Sequence, residues 1–140
     1  MCFNIAEAVN RGWTTGNAQD WYERGVKASM SFYGINDATA YLAQSTVKYA
    51  GNTAAGLTQI LNQKYIAFFQ NSGYEAYFNW RRTGIPTFLV GVGTANGTKI
   101  PLRYQYPSTE RLVNEINVKA AITRQFGEKD DINAQMWINK

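Results

Sequence analysis

The chain has 140 residues, 45% hydrophobic and 14% aromatic, enough apolar content for one folded domain rather than a disordered segment. Its net charge of +4 is scattered, with Arg81-Arg82 the only adjacent basic pair, which is not the basic patch of a nucleic-acid binder. It contains no histidine and one cysteine, Cys2, which excludes histidine-based catalytic triads and dyads, histidine metal sites, thiolate zinc clusters and an internal disulfide.

Residues 2–11 read as a helix, with Ala6 and Ala8 as strong formers and Phe3, Ile5 and Val9 apolar. Gly12 suits its stop, and WTTG makes a short loop. Asn17 reads as an N-cap, with Asp20 three residues on near the positive helix end. The helix Ala18–Phe32 follows, with Trp21, Gly25, Ala28 and Phe32 on its expected inner face, and Gly34 ends it. Residues 2–33 therefore predict a tetratricopeptide-like helical hairpin. Asn36 or Asp37 is placed to cap a third helix running to about Tyr49, and GNTAAG breaks the pattern. A fourth helix is predicted from about Ala54 to Gln70, lined by Leu57, Leu61, Tyr65 and Phe68 and widened by Ile60 and Phe69. A fifth covers Tyr74–Thr83, with Tyr74, Tyr77, Phe78 and Arg81 on one stripe.

After Gly84 the character changes. Residues 85–110 hold all three prolines and the run GVGTANG, which predicts an extended, loop-rich segment. Helical spacing returns around Asn114–Arg124, and DDINAQMWINK suits a short helical turn. The expected architecture is mostly α: one domain over 1–140, with helical hairpins in 1–83 and a loop-rich part with short helices in 84–140.

The motifs carry little catalytic signal. GVGTANGTK lacks the Gly-Lys-Ser/Thr ending of a phosphate loop. DDIN lacks the glycine and terminal glutamate of an EF-hand, so a solvated acidic turn is expected there ahead of another type of calcium site. None of the ten carboxylates sits in a telling motif, so each is expected to be a surface charge or a helix cap, and no cofactor is expected. Cys2 reads as a small buried helix residue. Nothing reads as a secretory or lipid-attachment signal, and no apolar run is long enough to span a bilayer. Trp21, Trp80 and Trp137 read as packing residues. Trp13, in a loop, is the best placed to present a flat face to a ligand, although a hairpin also lets it pack between helices. Trp13 and Tyr33 are the candidate ligand-binding residues, chosen for aromatic exposure.

The stretches FNIAEAVNRGW, YERGVKASMSFYG, ILNQKYIAFFQNSGYEAYFNWRRTGIPTF, KIPLRYQYPSTE and DDINAQMWINK together resemble the C-terminal part of the SusD/RagB family of outer-membrane nutrient-binding proteins. The likeness is to the SusD-like branch described as starch-binding or outer-membrane associated. The resemblance covers nearly the whole chain, and the Trp-Arg-Arg-Thr-Gly-x-Pro element followed by Arg-Tyr-x-Tyr-Pro-Ser is its specific part. It implies a largely helical fragment of a chain several times longer. It further implies a non-catalytic role in capturing glycan or other nutrient on a surface lipoprotein of the bacterial outer membrane. The partner it implies is a SusC-type TonB-dependent transporter, contacted through tetratricopeptide-like helix pairs. The alternatives are a helical-hairpin scaffold that binds only protein and a small glycan-active enzyme working through carboxylates. Trp80, Arg81, Arg82, Gly84 and Pro86 form a structural corner in this reading. Trp80 packs, Arg81 and Arg82 pair with carboxylates or helix ends, at least one of them as a buried structural pair rather than a ligand clamp, Gly84 ends the helix and Pro86 prevents its continuation. An orphaned fragment is expected to keep an apolar face, covered by the missing N-terminal part or by a second copy.

Overall fold

The structure, a computed structural model, describes residues 1–139. It divides into two compact units, Met1–Thr87 and the chain from Phe88 onward. Among the described residues the regular elements are all helical.

The first unit is built on a helical hairpin of α1 (Cys2–Asn10) and α2 (Ala18–Phe32). Each helix is set by local signals. Asn17 accepts the backbone N–H groups of Gln19 and Asp20, which satisfies two of the unpaired donors at the start of α2. Both helices end in a Schellman motif: Trp13 N–H reaches Ala8 O and Ile35 N–H reaches Met30 O, with Gly12 and Gly34 at positive φ. The hairpin closes tightly because α2 presents Gly25 to Phe3. A Cβ at that position would stand 2.7 Å from the Phe3 ring, closer than side chains pack.

The inner face of α2 is Ala18, Tyr22, Gly25 and Val26, which corrects the expected Trp21–Gly25–Ala28–Phe32 stripe; Phe32 is exposed. The two stripes are neighbours on one helix, and contact with α1 selects between them. Tyr22 is fully buried and donates its hydroxyl to Val47 O at 2.6 Å. Burial raises its phenol well above the ordinary value, reinforced by the charges of Tyr41 and Glu23.

The third helix, α3, is one turn, Thr39–Leu42, with Asp37 accepting from Thr39 N–H. The expected continuation to Tyr49 does not form. The Gln59 side chain instead binds the backbone there, donating to Thr46 O and Lys48 O and accepting from Ala50 N–H. These bonds give the segment an alternative to a helical ladder. α4 (Ala54–Ala67) packs Ile60 and Leu61 into the core and ends three residues before the expected Gln70. α5 (Glu75–Thr83) ends at Gly84, which is left-handed, and the Ile85–Pro86 peptide is cis. Its buried residue is Asn79, whereas Tyr74 and Phe78 of the expected stripe are exposed.

The second unit contains α6 (Ser108–Val113), which periodicity misses, then α7 (Glu115–Phe126) and a 3₁₀ turn at Trp137–Asn139. Val118 and Ile122 are its buried apolar residues. Its other centre is Arg103, whose guanidinium bonds Asp130 at 2.5 Å and Asp131 O at 3.1 Å and lies 4.0 Å from the Phe126 ring centroid. Asp130 also accepts the Tyr106 N–H. Within the acidic turn Asp131 is exposed, as a solvated turn requires, but the Asp130 side chain is covered in an ion pair and corrects the reading of every carboxylate as surface charge or cap.

Candidate functional site

The first unit concentrates charge on Glu7. Its carboxylate is buried and accepts from Arg82 at 2.6 and 2.7 Å and from Arg11 Nε at 2.9 Å. Glu7 is therefore a second carboxylate that is neither a surface charge nor a cap. Burial pushes the carboxyl up. The hydrogen bonds and charges of Arg82 and then Arg11 outweigh that and hold it below its ordinary value. Arg82 is raised by its hydrogen bond to Glu7. Asn79 accepts from both Arg82 and Lys64 through Oδ1. Lys64 is lowered first by burial and then by the Arg82 charge.

This cluster reaches Trp13. Arg11, held by Glu7, places its guanidinium 5.1 Å from the Trp13 ring centroid, within cation–π distance. The Schellman bond from Trp13 N–H fixes the backbone, which needs Gly12 at φ 72°. Trp13 is 68% exposed. Trp13 is thus a flat apolar surface with a cation against it and a rigid backbone below it, which suits stacking on a planar or ring-shaped ligand. The Arg82–Glu7–Arg11–Trp13 chain links residues far apart in sequence, and Glu7 and Arg11 are its members that sequence reasoning missed. Their only local signal is the i,i+4 spacing that ends at a helix-stopping glycine.

Tyr33 lies elsewhere. It follows α2 at the end of the hairpin where Phe3 lies, and α2 is about 22 Å long by its helical rise. The structure does not bring Trp13 and Tyr33 into one site. Tyr33 donates its hydroxyl to Phe69 O at 2.7 Å and meets Phe32 edge-on, ring centroids 5.1 Å apart. It borders two pockets of about 320 and 530 Å³.

The other corner residues make contacts within α5 and the turn after it. Trp80 stacks on Tyr77, and the Arg81 guanidinium lies over the rings of Tyr77 and Phe78. Thr83 Oγ1 donates to Asn79 O and accepts from Ile85 N–H, which fixes the turn through Gly84 towards Pro86. Cys2 is half-buried at the start of α1. Among the described residues no three His, Cys, Asp or Glu side chains group closely enough to hold a metal ion. No helix among them is long and apolar enough to cross a membrane.

The SusD-like family described as "starch-binding associating with outer membrane" matches residues 1–107. Among solved structures, a SusD homologue from Bacteroides fragilis is 37% identical and superposes with a TM-score of 0.88 over 99% of this chain and 33% of its own. A second SusD homologue from the same organism is 30% identical, with a TM-score of 0.88 over 99% of this chain and 34% of its own. A chitin-binding SusD homologue from Flavobacterium johnsoniae is 26% identical, with a TM-score of 0.84 over 99% and 35%. The chain spans about a third of the length of these structures. No curated protein sequence matches it. The chain belongs to the SusD-like family, and its helical architecture is that of the matching third of these proteins.

Proposed function

We propose that this member of the SusD-like family takes part in non-catalytic capture of glycan at the surface of the bacterial outer membrane, with Trp13 as a stacking platform. The captured oligosaccharide, or another nutrient, passes in this reading to a SusC-type TonB-dependent transporter. The observation that carries the proposal is the exposed Trp13 ring braced by Arg11, within the residues that match a starch-binding family. The apolar face of a sugar ring stacks on such a surface, and a rigid platform loses little freedom on binding. The chitin-binding relative supports a β-linked amino sugar as one candidate and the family description supports α-glucan as another.

Two observations favour capture over turnover. The buried carboxylates Glu7 and Asp130 are each held by an arginine, and they belong to different units. A glycosidase needs a matched pair of carboxyl groups across one cleft, one of them able to give up a proton. Tyr33 is a secondary candidate in this reading; its ring is available while its hydroxyl is already a donor to Phe69 O.

Calorimetric titration with malto- and chito-oligosaccharides tests the proposal. At least one series should release heat, and Trp13→Ala should weaken that binding by roughly tenfold or more, about 1.4 kcal/mol. Binding by neither series, or equal binding by the variant, would overturn it.

A further inference from the structure

α4 is apolar on two sides. Ile60 and Leu61 are in the core, and Ile66, six residues beyond Ile60, lies about 240° around the helix from it. Ile66 is 53% exposed, and Phe69, in the turn that follows, is 64% exposed. Large apolar residues exposed together on the side away from the core mark a face that a partner covers. Ile66 and Phe69 form a ridge between two apolar grooves. One, of about 320 Å³, runs from Met30 and Ile35 across Phe3 to the ridge. The other, of about 310 Å³, lies between the ridge and Ala76 of α5. Exposed ridge residues three apart, flanked by grooves, are the shape that a packed helix requires.

We infer that this face seats one or more helices from the part of a SusD-like chain outside these 140 residues. Two observations select that occupant. The matching structures are about three times as long and account for 99% of this chain, so two thirds of the family fold has no counterpart here and must pack against the third that is present. Most polar groups of the first groove are also already engaged: Tyr33 donates to Phe69 O, and the Tyr41 hydroxyl and Gln63 amide bond each other, which leaves the Ser29 hydroxyl among apolar lining. The groove therefore offers mostly carbon, which suits an apolar helix face. The inference rests on family membership and is independent of the Trp13 platform, whereas a helix seated here would cover Tyr33.

The test uses the 140-residue chain and its Ile66→Asp/Phe69→Asp variant, with Ile66→Ser/Phe69→Ser in reserve should the charged pair lower the melting temperature. Light scattering should show a monomer for the parent chain. The parent should brighten a hydrophobic dye several-fold, and the variant should lose that signal. Each is then co-expressed with the non-matching two thirds of a solved homologue, chosen because that homologue's own matching third co-purifies with it. One-to-one co-purification of the parent chain and its loss in the variant is the expected result. A dimer split by the substitutions, a monomer that leaves the dye dark, or failure of the parent chain to co-purify would each overturn the inference.

Discussion

Each unit holds an arginine–carboxylate pair, but the pairs do different work. In the first unit Glu7 is 4% exposed and Arg82 44%. The pair sits at the edge of an apolar core that includes Phe3, Ala6, Tyr22, Val26, Val47 and Ile60. In the second unit the Arg103 and Asp130 side chains are 5% and 7% exposed, and the unit's buried apolar residues are Val118 and Ile122. Hydrophobic burial organises the first unit, and its ion pair positions a surface residue. The second has little apolar burial, and its ion pair is the centre of the unit. Removing one partner should therefore destabilise both units, but unfold the second more widely than the first.

The largest effect is expected from Arg103→Ala. It leaves Asp130 buried without its cation, a loss of about 3–5 kcal/mol. Hydrogen exchange should show the Val118 and Ile122 amides losing protection while those of Ile60 and Leu61 keep theirs. Equal loss in both units would break the comparison.

Glu7→Gln should cost about 2 kcal/mol, the range of hydrogen bonds to a charged group, and should also alter the pH dependence. The folded carboxyl lies below its ordinary value, so the unfolded state binds more protons in the interval between the two. The Glu7 contribution is complete above about pH 4.3, the ordinary glutamate value, and is lost as pH falls through the lowered folded value. Acid unfolding curves of the parent and Glu7→Gln chains should therefore converge as pH drops. A constant gap would assign the stability to something other than the carboxylate charge.

Gly25→Ala sharpens the view that close packing governs the first unit. Its new Cβ meets the Phe3 ring, and overpacking of this kind costs about 1–2 kcal/mol. Thermal melts should show a lower midpoint, and Phe3→Leu in the same chain should recover part of it. The smallest stability effect belongs to Arg11→Ala, under about 1 kcal/mol because the side chain is partly solvated. Its effect should appear instead as weaker glycan binding, measured by the same titration used for Trp13.

The limits of α1 and α2 are legible in the sequence because they are set within a few residues: the Asn17 cap, and the glycines that the left-handed turns after each helix require. The buried face of α2 is not legible. Trp21 and Tyr22 lie on adjacent stripes of one helix, and only the approach of α1 and α4 decides which turns inward. The third helix is misread for a similar reason, since its competitor is the Gln59 side chain on a later element. At the candidate site the loop position of Trp13 follows from Gly12. Its bracing does not, because Arg82 reaches Glu7 across 75 residues. Asp130 is likewise read as a solvated charge until Arg103 is seen to cover it.

The most direct test of the central claim follows the four tryptophan indole N–H resonances by NMR while glycan is added. Trp13→Ala assigns the Trp13 signal by its disappearance. The account predicts that this signal moves first and furthest with the binding oligosaccharide, while those of Trp21 and Trp80 stay in place. Movement of Trp21, Trp80 or Trp137 with Trp13 unchanged would contradict it.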